Sequence, residues 1–408
     1  MLVRAMRVYA GMCGTDIPQG LRWFAADGKE RMLGQFGVMV GQLVGFLIML
    51  LVGYGCVRLR FYGKTALDGM CALLLNVLIP VLVFANAVDG ATRAQLAANW
   101  GVMLLTAVMY VLLVVVFRLL AWALRLTGSR SRVFQASLVF GNAGFIGIPL
   151  IMALFPKEGA IYVALMSIVD QTLLWTYGVW LCEPVNVAAA VAGAGAAGSV
   201  DASGSYGEST AVPSTTSDQS GTSPRRSPSA DGRRAAGSPA TRTFGEHALG
   251  LLRRFVNPAF IGVMIALALI LAGVRVPGII LKPLHTIGNM ATPMSLIYLG
   301  GLFALTRWWT VLRRYELYVG LFAKMIAFPL ALYALLNAAS GALAGVAPLP
   351  FTHDMILTIS VIAGLPTMTT IAMFTARRNN MPEYAVGFVL VSTLFSLVSL
   401  AVVSAIIF

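Results

Sequence analysis

The stretch GNAGFIGIP at 141–149 places three glycines, an asparagine and a proline inside an otherwise apolar run. A second stretch, AGLPTMTTIA at 363–372, combines Gly364 and Pro366 with the hydroxyls of Thr367, Thr369 and Thr370. Gly and Pro interrupt the i to i−4 ladder, and in lipid the released N–H and C=O groups are tolerated only against protein or a water-filled cavity. Each break therefore marks a candidate binding site. The half-helix that starts after a break presents N–H groups and about half a unit of positive charge, which suits an anion. The half-helix that ends there presents carbonyls, which suit a cation. Asn142, Ala143, Gly144, Gly147 and Pro149 are the expected substrate contacts from the first break, and Pro366, Thr367, Thr369 and Thr370 from the second. The competing reading is a kinked helix that packs closely through glycine.

Two fully ionisable residues, Asp170 and Lys324, fall near the middle of apolar runs. An isolated charge at that depth costs about 2.5–3.5 kcal/mol or more, so both are candidates for ion coupling. Asp170 with Gln171 and Thr172 forms an oxygen-rich cluster suited to Na⁺ or a relayed proton. Thr393 is the counterpart of Gln171 in the second half of the chain, and joins the ion-coupling set. Lys324 either neutralises Asp170 or attracts a substrate carboxylate; the structural alternative is a buried ion pair between packed helices. Asn76 and Asn289 each precede a proline by four residues (Pro80 and Pro293). Each either reads a polar substrate group or satisfies carbonyls freed by its proline. His247, His285 and His353 are scattered singly, Cys13, Cys56, Cys71 and Cys182 form no CxxC, and no metal site or cofactor is expected.

The elements that must carry these residues are membrane helices. The chain of 408 residues is 58% hydrophobic and 11% charged, with a mean hydropathy of +0.83, far from a soluble domain. Ten runs reach the roughly 20 apolar residues needed to cross a bilayer: 36–57, 66–88, 98–123, 132–155, 159–181, 255–274, 280–304, 315–339, 354–376 and 384–407. The domain reading is an N-terminal extension at 1–35, a five-helix unit at 36–182, a linker at 183–254 and a second five-helix unit at 255–408. The linker is rich in Ser, Gly, Ala, Thr and Pro and is expected to be disordered.

The net charge of +13 resides in short loops, so it reads as a topology signal and no nucleic-acid partner is expected. Alternate loops carry nineteen Lys and Arg against four. This places the linker in the cytoplasm and the C-terminus outside. The basic residues of the extension disagree, and it lacks the h-region and cleavage site of a secretory signal. Two readings stay open: translation begins near Met32, or the segment is an amphipathic tail on the membrane surface.

Five spans lie on each side of the linker, so any repeat must be inverted. Local matches keep their order across both halves: Asn76 to Pro80 with Asn289 to Pro293, Ser137 four before Gly141 with Ser360 four before Gly364, and Tyr162 before Asp170 and Gln171 with Tyr384 before Ser392 and Thr393. Inverted repeats with interrupted helices are an architecture of secondary transporters, whose site lies near the midplane between repeats.

On GNAGFIGIP, the Asn-to-Pro segments of the second and seventh spans, 324–329 and AGLPTMTTIA, the chain resembles the auxin efflux carrier family of permeases. That family includes bacterial malonate and malate permeases and is related to the bile acid:sodium symporters. The resemblance covers roughly 36–182 and 255–408 and leaves out the extension and the linker. It implies an all-α membrane protein of ten transmembrane helices, built as two inverted five-helix repeats. Spans 1, 2, 6 and 7 then form a scaffold and spans 3–5 and 8–10 a transport domain, with broken helices 4 and 9 crossing at their unwound centres. It also adds a third reading of Lys324, as standing where a related symporter holds sodium.

The expected function is a secondary transporter in the cell membrane that moves small mono- or dicarboxylates by an elevator-like alternation, coupled to H⁺ or Na⁺. The expected partners are the anion, the bilayer and, as an assembly state, a second copy in a homodimer. The alternatives are a sodium-coupled symporter of bulkier organic anions and an anion channel. An intramembrane enzyme is not expected, because the runs hold one central acid and no HExxH motif.

Overall fold

The computed structural model of the protein describes residues 41, 44–90, 92–155, 158–185, 258–274, 276–343 and 351–407. The N-terminal extension at 1–35 lies outside these residues, as does the linker beyond Val185. The described residues are helical and contain no strand. We number the helices α1 (Val44–Arg58) and α2 (Lys64–Asp89), then α3 (Arg93–Ala98), α4 (Trp100–Ala123), α5 (Gly128–Val139), α6 (Ile148–Leu154) and α7 (159–181). The second half holds α8 (Pro258–Ala272), α9 (Gly278–Asn289) and α10 (Ala291–Leu305), then α11 (Tyr315–Ala342), α12 (His353–Ala363), α13 (Thr369–Arg377) and α14 (Pro382–Ile407).

Four of these, α2, α4, α11 and α14, are long and apolar enough to cross a membrane; α1, α8 and α12 are shorter apolar helices. The apolar runs at 132–155, 280–304 and 354–376 are divided into α5 and α6, α9 and α10, and α12 and α13. Gly and Pro set the divisions. Pro293 falls in the first turn of α10, where a missing N–H costs no hydrogen bond, and Gly364 and Pro366 lie between α12 and α13. Elsewhere proline widens a helix without ending it. π-helical turns at Leu74–Leu78, Ala143–Gly147 and Ala323–Ala327 each end two residues before a proline. Proline cannot donate the next i to i−4 bond, and one wide turn absorbs the mismatch. Asn76, Gly144 and Lys324 all sit in such turns.

Two groups of helices pack within this unit. The first is α1, α2 and α8–α10, with α8 and α9 laid along the C-terminal half of α2. Where α1 crosses α10 the backbones touch: a Cβ on Gly53 would fall on the Ile297 carbonyl, and one on Gly300 on the Leu50 carbonyl. Small residues permit that approach, which supplies dispersion contact where lipid offers no hydrophobic driving force. The second group is α4–α7 with α11–α14. Its interior holds aromatic pairs such as Phe134 with Phe388, centroids 5.9 Å apart, and Trp175 with Phe374, 5.1 Å apart. At one end the fully buried Glu316 accepts hydrogen bonds from Arg130 Nε at 2.9 Å and the Tyr384 hydroxyl at 3.4 Å, tying the starts of α5, α11 and α14. Val108, Val111, Val115, Leu119 and Trp122 of α4 remain exposed, an apolar face suited to lipid.

Candidate functional site

The two interruptions meet. Gly141 and Thr367 pair as an isolated antiparallel bridge. The Asn142 N–H donates to the Pro366 carbonyl at 2.7 Å, and the Met368 N–H to the Phe140 carbonyl at 3.1 Å. Each break thus satisfies backbone groups that the other releases, as a buried backbone requires. The carbonyls that end α5 are capped from further away. Ser137 O accepts from Thr367 Oγ1 at 2.7 Å, and Leu138 O accepts from Lys324 Nζ at 2.5 Å. An ammonium there also complements the negative end of the α5 dipole. Thr367 N–H donates to Ser392 Oγ at 3.0 Å, which anchors the second break on α14.

Glycine permits the close crossing. A Cβ at Gly147 would lie 2.7 Å from Leu365 Cδ1, and one at Gly141 would lie 3.2 Å from Leu365 Cβ. Gly144 differs, since a Cβ there would meet nothing within 4 Å.

A cavity of about 580 Å³ lies between the two helix groups, beside the crossing. Such a volume suits a small organic molecule. One wall is Asn142, Ala143 and Gly144, the start of the helix 143–154, with Thr369 and Thr370 from the first turn of α13. Helix starts leave N–H groups without an intrahelical acceptor, so two positive dipole ends border this wall. A second wall is α7, with Ser167, Asp170 and Gln171. The facing wall is α2, α9 and α10, with Asn86, Asp89, His285 and Asn289.

The cavity runs from an exposed edge to a buried wall. Asp89 is exposed over 61% of its side chain, whereas Asp170 is 2% exposed. Towards the other end α2 meets α13: Cys71 Sγ lies 3.9 Å from the Met373 carbonyl, and Arg377 Nη1 donates to Asn76 Oδ1 at 3.3 Å.

Asp170 is held at the inner wall by a network. Its Oδ1 accepts from the Tyr110 hydroxyl, and its Oδ2 from Gln171 Nε2 at 3.0 Å. Gln171 Oε1 in turn accepts from Trp175 Nε1 at 3.1 Å. The carboxylate therefore faces donors on both oxygens, the arrangement that buried acids require.

Of the residues expected from the sequence, the fold brings Asn142, Ala143, Gly144, Thr369, Thr370, Asn289, Asp170 and Gln171 to the cavity wall. Gly147, Pro366 and Thr367 instead form the crossing beside it, and Pro149 lies in the first turn of α6. Lys324 is buried against Leu138 and does not line the cavity. Thr393 donates to the Val389 carbonyl at 2.6 Å and is likewise absent from the wall. Asn76 is exposed and engaged by Arg377. Sequence reasoning missed Tyr110, Asn86, Asp89 and His285 as site residues. Tyr110 had a signal, a phenol in the centre of an apolar run; the other three look like ordinary residues at helix ends. Among the described residues no three His, Cys, Asp or Glu side chains cluster as metal ligands would.

A family model described as "Membrane transport protein" matches residues 38–404. No curated protein matches the chain.

Proposed function

We propose that this chain, which belongs to the membrane transport protein family over residues 38–404 and is thus a multi-pass membrane transporter, is a secondary active carrier of small mono- or dicarboxylates. The observation that carries this reading is the cavity at the crossing of two interrupted helices. Two helix N-termini, the Asn142 amide and the hydroxyls of Thr369 and Thr370 border it, with Asp170 on the adjoining wall. Dipole ends and neutral donors bind an anion without a fixed cation that would hold it too tightly to release.

Alternating access is supported by the rim at Asp89 and the contact of α2 with α13 at the opposite end. In our reading α1, α2 and α8–α10 act as the scaffold, and α4–α7 with α11–α14 carry the substrate past it in an elevator-like movement. The paired breaks and the matched Asn-to-Pro segments support ten spans in two inverted repeats. With the loop charges, the chain sits in the cell membrane with the linker cytoplasmic, the C-terminus outside and the cavity open outward. Bacterial malonate and malate permeases are the branch it resembles, and assembly as a homodimer belongs to the same reading.

Asp170 on the cavity wall also supports ion coupling, by H⁺ or Na⁺. A second reading, a sodium-coupled symporter of bulkier organic anions, draws support from the cavity volume of about 580 Å³ and its two carboxylates, Asp89 and Asp170.

Uptake of radiolabelled carboxylates into proteoliposomes, with the Na⁺ and proton gradients imposed separately, tests both readings. Saturable uptake that collapses with the proton gradient and persists without Na⁺ supports the first reading. A strict Na⁺ requirement supports the second, and non-saturable conductance rejects both.

A further inference from the structure

For a cavity proposed to take a carboxylate, this one has an unfavourable charge inventory. Among the described residues, Asp89 and Asp170 line it, no Lys or Arg does, and His285 is its only basic side chain. Asp170 is compensated by Tyr110 and Gln171. Asp89, at the rim, depends on His285, whose Nε2 lies 3.3 Å from Asp89 Oδ2. That Nε2 is buried and, among the described residues, makes no hydrogen bond, so the contact is a charge pair only when the imidazole is protonated.

Among the described residues, α2 and α10 pack on α9. From α2 the titratable group near His285 is Asp89, with Lys64, Asp68 and Cys71 in the far half of that helix; from α10 it is Tyr298, which stands against Cys71 and Asp68 at that far half. Lys282 lies one turn earlier on α9 itself, and Asp170 stands on another wall of the cavity.

We infer that His285 and Asp89 form a proton-gated selection element at the cavity rim, which decides when a carboxylate enters. With His285 neutral, the bare Asp89 carboxylate repels an incoming anion. With His285 protonated, Asp89 is neutralised, and the imidazolium offers a charge-assisted N–H donor to the substrate. The inference rests on the carboxylate reading above, and predicts tighter binding in acid.

The experiment measures binding of lactate, whose carboxyl stays ionised throughout, and of malonate to purified protein. Readings are taken at about pH 5.5 and about pH 8, on either side of neutrality. The wild type should bind at least about fivefold more tightly in acid, a typical coupling between two bound species. His285→Gln should hold the weak, alkaline Kd at both values. Asp89→Asn should raise affinity at about pH 8 to near the acid value of the wild type. His285→Gln with the wild-type pH dependence, or Asp89→Asn without effect at about pH 8, overturns the inference alone. If neither probe binds the wild type at either pH, the carboxylate reading fails and takes the inference with it. The exposed rim position of Asp89 makes its variant the safer one to fold, and an unliganded melt checks both.

Discussion

Gly141 and Thr367, 226 positions apart in the chain, face each other as an antiparallel bridge pair, flanked by the hydrogen bonds Asn142 N–H to Pro366 O and Met368 N–H to Phe140 O. Two helices that each lose their own ladder at this depth recover part of it from one another. The junction is hydrogen-bonded where the backbones pair and borders the cavity at Asn142 and Gly144.

Asn142 should carry substrate affinity. It is fully buried at the crossing and lines the cavity. Asn142→Ala is expected to lower carboxylate uptake into proteoliposomes by about tenfold or more, since a hydrogen bond to a charged group is worth about 1.5–3 kcal/mol. Size-exclusion elution and the melting temperature should stay close to wild type. Undiminished uptake would remove Asn142 from the site.

Close packing of Gly147 on Leu365 should appear in stability. Gly147→Ala places a methyl 2.7 Å from Leu365 Cδ1 and is expected to cost about 1–3 kcal/mol by overpacking. Leu365→Ala removes the clashing atom. In that background Gly147→Ala should be neutral or stabilising, and thermal melts of the four proteins give the coupling. Additive costs would show that the two residues do not touch.

Asp170→Asn should separate coupling from carriage. The amide retains the shape of the carboxylate beside Tyr110 and Gln171 but takes up no proton and offers no negative charge to a cation. Counterflow exchange of substrate is expected to continue, while accumulation driven by an ion gradient is lost. Gradient-driven accumulation at the wild-type level would place the coupling group elsewhere.

Lys324 caps a helix end, which predicts how its loss behaves. Its ammonium donates to Leu138 O at 2.5 Å. Lys324→Met should therefore lower stability by about 1–3 kcal/mol, the cost of an unsatisfied buried acceptor. Adding Asp170→Asn should not restore it. Recovery in the double variant would instead identify a buried Asp170–Lys324 ion pair as the stabilising contact.

Much of the site's local character was legible in the sequence. The helix interruption at 140–142 overlaps the start of the first Gly- and Pro-rich stretch and that at 364–368 falls inside the second, because these residues act on their own backbone. The buried polar residues Asn142, Asp170, Thr369 and Thr370 were likewise conspicuous in apolar runs, since burying such groups in lipid is costly. Asn76 was conspicuous for the same reason, yet it faces Arg377 and not the cavity. A residue type signals that a partner is needed, not which partner supplies it.

The amino-acid sequence by itself determined that this is a helical membrane protein, where its helices break, and which polar groups those breaks and the bilayer make costly. Only the tertiary structure decided that the breaks pair with each other, that Lys324 caps α5, and that Asp89 and His285 share the cavity with Asp170. The reason is range. Backbone propensity and desolvation act within a few residues of their origin, whereas the partners of the Leu138 and Ser137 carbonyls lie 186 and 230 residues away. Such partners are chosen by the packing of whole helices.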